Sequence, residues 1–556
     1  MNLLLVTILI ALAEAQHANF KYWCGKKYNS SLPHFDAYNL GSPDNMRDLP
    51  RPQSSQKVRM VQEKLPYLSN DTNGAIVAYI PSRFFAMGGN TNISISIASL
   101  NMKTMVGSQY AGKGYSFPLD LSKVSNGMTT LEADLSYASY HNGSAGQQNL
   151  ESVFFDFYKV DPPSNGSYVV LDAHTQALSV NGGPQFVPVG YYVSSGFVFN
   201  NTVSNLSASA SAAMTQYASG GYNVFMYSGP ISTNDTEMEM TLNLAAQNNL
   251  YYQADVTDIV DNITALEIFT QKWSSHANFL SYYIGNEPDG PEGIGSFQPI
   301  ESFNGYEYLK MVDPYHPVTL VTNCAHSAPD YAGAVDFLST DVYSVGIPTV
   351  YNNLVCNLTQ GDCGCDLCNA SNPIASVADR YDSIYSDLGV NYPAVLFVEQ
   401  TFSDNTYWST LPLYEEELAM AWISIVAGGN GVLGYTYPVA DDPTSQFPLS
   451  AALQDFASQM ANYSSSTLLT GPRVGYSKYN GVYSAAWSSG TIIAVNAMNY
   501  TNDATILTHN FGLNGTSVQA TALGKEFGNQ TTRPQMMGGA ITDQLKPYSV
   551  RVYTVS

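Results

Sequence analysis

Two glutamates occupy positions from which they could do chemistry. The first lies in Tyr283-Ile-Gly-Asn286-Glu287-Pro288-Asp289, the second in Phe397-Val-Glu399-Gln-Thr-Phe. Each follows an apolar run, so each is expected at the exit of a buried strand. A pair of carboxyl groups facing one another can cleave a glycosidic bond through an oxocarbenium-like transition state. One protonates the leaving oxygen and the other attacks the anomeric carbon. Retention of configuration requires a separation of about 5 Å. Burial and mutual repulsion would keep one group protonated and the other ionised.

Other side chains could line such a site. Tyr227 and Tyr435 each end an apolar run and could stack on the C–H face of a sugar ring, although ordinary core tyrosines look the same. His326, in Thr322-Asn-Cys-Ala-His326, is a candidate substrate contact or a hydrogen-bonded structural histidine. The runs Glu415-Glu-Glu417 and Asp441-Asp442 read as solvated charge. There is no Gly-x-Ser-x-Gly elbow, no His-Glu-x-x-His and no phosphate-binding Gly-x-x-x-x-Gly-Lys loop, so no cofactor and no metal is expected.

The elements that must position these groups follow a regular order. Strand candidates fall at 186–193, 221–227, 250–255, 279–286, 317–323, 335–342, 394–399 and 431–437, most of them apolar on both faces. Helical stretches lie between them. They include an Ala-rich segment at 204–219, a second at 236–249 capped by Asp235 or Thr236, and a third at 411–427 that stops at Gly428-Gly429. Strands alternating with helices over about 280 residues predict a parallel sheet closed into a (β/α)8 TIM barrel at 176–465. Glu287 and Glu399 would then stand on strands four and seven, facing each other across the C-terminal mouth. The connection 343–393 is expected to be a long loop at that mouth. Residues 17–175 and 466–556 carry short alternating strands with Gly and Asn turns. They are expected to form an N-terminal β-sandwich and a smaller C-terminal one.

Asn286-Glu287-Pro288 on a fourth strand, with a second glutamate on the seventh, resembles the signature of the clan A retaining glycoside hydrolases. In layout the chain is nearest to the β-galactosidase and β-glucuronidase type. The segments Leu178-Ser-Val-Asn181-Gly182-Gly-Pro184, Gly220-Gly-Tyr-Asn-Val-Phe-Met-Tyr227 and Leu545-Lys-Pro-Tyr548-Ser-Val-Arg-Val-Tyr553 are similar to parts of the same type. The resemblance covers roughly residues 170–556. It implies that Glu287 is the acid/base and Glu399 the nucleophile, that Asn286 bonds a sugar hydroxyl and that Tyr343, in Ser339-Thr-Asp341-Val-Tyr343, supports the nucleophile. Three departures stand against it. Tyr227-Ser-Gly replaces an arginine at the end of strand two, Tyr435-Thr-Tyr437 replaces a tryptophan at strand eight, and Asp341 stands where asparagine is usual.

The bulk composition limits the partners. With 22 basic and 45 acidic residues the net charge is -23, which disfavours nucleic acid and anionic polysaccharide. An oligo- or polysaccharide without charge meets no such penalty. The apolar run Leu3–Leu12, followed by Ala13-Glu14-Ala15, predicts a signal peptide over residues 1–15, and hence a secreted, extracellular protein. Asn-x-Ser/Thr sequons recur from Asn29 to Asn529 and predict N-linked glycans. No second segment is apolar enough for a membrane span. The six cysteines, four of them within Cys356–Cys368, suit disulfides better than a zinc knot. Two functions fit these features. One is a retaining glycosidase or transglycosylase acting on a β-linked neutral glycan. The other is a lapsed barrel used for glycan binding or self-assembly in an extracellular matrix or filament.

Overall fold

The computed structural model describes residues 22–23, 26–27, 58–81, 84–85, 92–110, 114–141, 144–164, 166–199, 206–231, 234–290, 299–324, 328–347, 350–351, 354–355, 372–388, 393–403, 408–441, 447–463, 471–513, 515, 517–523 and 534–556. His326, the proposed signal peptide and the cysteine cluster lie outside them. Cys324 is disulfide-bonded.

Eight parallel strands close into a barrel. They are β1 (Val189–Val193), β2 (Val224–Tyr227), β3 (Tyr251–Asp255), β4 (Phe279–Asn286), β5 (Val318–Thr322), β6 (Phe337–Asp341), β7 (Ala394–Gln400) and β8 (Gly429–Tyr437), with β8 pairing back onto β1. The helices that follow them in turn are α1 (Leu206–Ala218), α2 (Asp235–Gln247), α3 (Ile263–Trp273), α4 (Pro299–Val312), α5 (Ala328–Tyr331), α6 (Pro373–Leu388), α7 (Tyr414–Ala427) and α8 (Ser450–Tyr463). Every expected strand is present within a few residues of its predicted bounds. Two local details differ. The cap of α2 is Asn234, whose side chain accepts the Glu237 N–H. The long connection 343–393 is not all loop, because it holds α6 and a short hairpin, Val350–Tyr351 with Leu354–Val355.

Alternation along each strand sorts the barrel into two cores. On β7, Ala394, Leu396 and Val398 join Tyr192, Met226, Tyr283 and Leu433 in the barrel interior. Val395 and Phe397 face outward, with Tyr191, Tyr227, Tyr252, Leu418 and Trp422, into the layer between strands and helices. A side chain's parity on its strand therefore decides whether it can reach the mouth.

Two antiparallel assemblies flank the barrel. On the N-terminal side, a five-stranded sheet containing the long hairpin Gly127–His141/Ser144–Val160 faces a three-stranded sheet. They share a core that includes Ile76, Phe117, Ile95, Leu131 and Phe157. On the C-terminal side a five-stranded and a three-stranded sheet enclose Ile492, Ile506, Ile541 and Tyr553. A further small sheet, Lys64–Leu65, Val169–Asp172 and Leu178–Val180, contributes Val169 and Leu178 to the same cluster as the barrel interior.

Candidate active site at the barrel mouth

Glu287 directly follows β4. Its backbone has a φ of 47°, in the left-handed region that a residue with a Cβ adopts at some cost. It is held there by its own N–H, which donates to the Val321 carbonyl (3.1 Å), and by its carbonyl, which accepts the Gly290 N–H (3.0 Å). The side chain is half-buried. Asn286 beside it is exposed, and its Oδ1 accepts the Tyr283 hydroxyl at 2.8 Å.

The carboxyl that meets Glu287 is that of Asp341, the last residue of β6. The two are within hydrogen-bonding reach. Burial, and then the adjoining Glu287, push Asp341 well above the usual carboxylate range. Arg380 opposes this. Arg380 reaches in from α6, where its Nη1 donates to the Asn323 carbonyl (2.8 Å) and the Thr340 hydroxyl (3.0 Å), the latter next to Asp341 in β6. Asp289 ties the loop after β4 to the loop after β5 by accepting the N–H groups of Asn323 (2.9 Å) and Cys324 (2.8 Å). Burial raises Asp289 to about 7 against those bonds. Asp255, at the end of β3, accepts the Thr257 N–H and hydroxyl and is raised by burial to about 6.

Aromatic rings surround these acids. Tyr192 lies against Tyr435 (5.7 Å between centroids) and Tyr283 (6.1 Å). Tyr343 meets Phe402 (5.1 Å), Tyr435 (6.2 Å) and Trp408, whose indole N–H donates to the Tyr343 carbonyl. Tyr343 and Tyr435 are thus at the mouth with Asn286 and Glu287.

Two sequence-based placements need correction. Glu399 has the outward parity of Val395 and Phe397. It is fully buried against α7, where Glu417 and the Ala421 amide are its neighbours. It does not face Glu287. The residue that follows it, Gln400, turns the other way. Its Oε1 accepts the Val345 N–H (2.9 Å), and its Nε2 donates to the carbonyls of Val345 (3.0 Å) and Phe402 (3.2 Å). Tyr227 likewise points outward, fully buried, with its hydroxyl bonded to Thr241 of α2 at 3.2 Å. It offers no stacking surface to the mouth.

The sequence reading also missed residues. Asp341 obeys the same rule that singled out Glu287, a carboxylate at a strand exit, and could have been found by it. Arg380 arrives from a helix whose sequence marks it only as a basic residue on an amphipathic face.

Several solved structures are similar to this chain in fold. No family model matches this chain, and no curated protein does. Among solved structures, one described as a glycoside hydrolase is 15% identical, covering 71% of this chain and 98% of its own, with a TM-score of 0.46. A glycoside hydrolase family 5 protein from Bacteroides vulgatus is 12% identical over 70% of this chain and 93% of its own, TM-score 0.45. A GH30 endoxylanase from Clostridium papyrosolvens is 13% identical over 67% and 97%, TM-score 0.36. The likeness is one of fold, and no residue role is carried across.

Proposed function

We propose that this protein is a glycoside hydrolase acting on a neutral, β-linked glycan, with Glu287 and Asp341 as its acid/base pair. The observation that carries this reading is the contact between the two carboxyls at the mouth. Burial, and then the adjoining Glu287, raise Asp341 above the usual carboxylate range, so Asp341 holds a proton beside Glu287. Glu287 is the member within reach of a ligand. In this reading the pair gives its proton to the leaving glycosidic oxygen as the bond to the anomeric carbon breaks. Once the leaving group has departed, it takes a proton back from the water whose oxygen adds to that carbon from the same side. Tyr343 and Tyr435 would offer ring faces to the sugar, and Asn286 a polar contact. The retaining route expected from sequence relied on Glu399, whose position against α7 does not support it. Secretion and N-glycosylation belong to the same proposal and rest on the N-terminal apolar run and the sequons. Among the described residues no helix is long and apolar enough to cross a membrane.

A second reading has an observation of its own. The inward-facing position at the end of β7 is Gln400, a neutral amide fixed by three backbone bonds. A barrel that binds glycan without cleaving it would show this. Sugar release from a panel of neutral polysaccharides and aryl glycosides separates the two. Hydrolysis should be lost in Glu287→Gln and Asp341→Asn and kept in Glu399→Gln. Loss in Glu399→Gln alone would overturn the pair assignment. A folded wild type that binds glycan without releasing sugar would favour the second reading.

A further inference from the structure

Glu399 has no place at the mouth, yet its surroundings are unusual. It projects from the outer face of β7 towards α7, where it meets Glu417 from the first turn of that helix. Both are fully buried, and among the described residues none of their four carboxylate oxygens has a hydrogen-bond partner within good geometry. The neighbouring strand gives way to the cluster. The cross-strand partner of Glu399 is Gly434, and a Cβ there would lie 2.3 Å from the Tyr191 ring and 3.0 Å from the Thr401 methyl.

Among the described residues, the groups facing the pair carry no positive charge. From β1 comes the hydroxyl of Tyr191, itself beside Tyr222, and from beyond β8 comes Asp441. On α6, Tyr381 and Tyr385 bond the Val395 and Gly428 carbonyls, away from the pair. On α8, Asp455 accepts the Tyr414 hydroxyl. Arg473 donates to the Val426 carbonyl at the far end of α7. Glu416 accepts the Leu413 N–H at the helix start. Two ionised carboxylates buried together without a cation are strongly unfavourable, whereas protonated carboxyls are not.

We propose that Glu399 and Glu417 form a proton-dependent latch between β7 and α7, keeping the helix seated while they hold their protons and loosening it as the protons pass to solvent. Burial pushes both groups above the carboxylate range, aided at Glu399 by Glu417 and at Glu417 by Asp441, and opposed by the Ala421 N–H at Glu399 and the Tyr191 hydroxyl at Glu417. The sign follows. For acids whose folded pKa lies above the unfolded value near 4.5, the stabilisation is complete below that value and is lost as pH rises through the folded pKa. The barrel should therefore be firmest in acid. This holds whether or not the mouth is catalytic.

The test is the thermal midpoint of the full chain from about pH 5 to about pH 8, beside Glu399→Gln and Glu417→Gln. Wild type should lose stability with rising pH, and each variant should lose less, the remainder coming from Asp255, Asp289 and Asp341, which burial raises as well. Slopes equal to wild type in both variants would overturn the latch. So would a wild-type midpoint that calcium raises while the slope stays unchanged, because a cation would then be what neutralises the pair. If a variant does not fold, hydrogen exchange of the α7 amides in wild type, corrected for intrinsic rate, decides. Their open population should grow about tenfold or more over the same range, and a constant population would refute the proposal.

Discussion

Glu287 illustrates how a single residue can trade stability for position. A residue with a Cβ at a φ of 47° stores about 1–3 kcal/mol of strain, and such strain collects at functional sites. Two bonds to Val321 and Gly290 hold it in place. Glu287→Gly should therefore stabilise the fold by about 1 kcal/mol while removing the carboxyl that meets Asp341. Glu287→Gln keeps the strained backbone and removes only the charge. Denaturant unfolding of both variants apportions the effect. A gain in the glycine variant that the glutamine variant matches would assign it to charge relief beside Asp341, and no gain in either would mean that the backbone is not strained. The same comparison bears on function, because a residue held in this conformation with no role at the mouth would be replaceable by glycine without loss of ligand binding.

At the scale of the element, the strands were legible because burial on both faces leaves uninterrupted apolar runs, and eight such runs spaced by helices admit few architectures. The same uniformity hid the orientation of Glu399. In Ala394-Val-Leu-Phe-Val-Glu399-Gln400 every residue is buried, so hydrophobicity does not alternate and nothing in the run says which face looks inward. Charge misled in the same way at Glu417, which reads as a solvated acid in a run of three but is fully buried. Asp341 is hidden for another reason, since it stands in Ser339-Thr-Asp341-Val-Tyr343 where the family it resembles has asparagine, and this draws the eye from its place at a strand exit. Close strand packing makes a prediction at this scale. A Cβ on Gly190 of β1 would lie 1.8 Å from the Val224 carbonyl of β2 and 2.6 Å from the Tyr217 hydroxyl. That hydroxyl donates to the Val224 carbonyl and accepts the Tyr191 N–H. Gly190→Ala must push these groups apart and should destabilise the barrel by about 3 kcal/mol or more, as overpacking against backbone does. A variant that unfolds at the wild-type denaturant midpoint would show that β1 and β2 can separate freely.

On the scale of the whole molecule, the N-terminal sandwich and the segment leading out of it are fixed to the barrel at the end opposite the mouth. The Val169 N–H donates to the Tyr315 carbonyl just ahead of β5, and the Ser167 hydroxyl is 3.0 Å from the His316 ring, which is held by Asp313. Next to them, Lys310 of α4 pairs with Asp336 at 3.2 Å, with both side chains buried, and its ammonium lies 5.6 Å from the ring of Tyr158 in the sandwich hairpin. Asp336 also accepts the Val318 N–H and the Tyr306 hydroxyl. One ion pair therefore joins sandwich, helix and strand at the barrel's lower face, where barrels concentrate stability and not chemistry. Lys310→Met keeps the length of the side chain and leaves Asp336 without its cation, so the chain should lose about 3 kcal/mol. The affinity of the mouth for a glycan should not change, because none of these groups touches the acids there. Denaturant unfolding and glycan binding on the same variant check both halves. If stability falls and binding falls with it, the two ends of the barrel are coupled, and the sandwich is part of the machinery of the mouth.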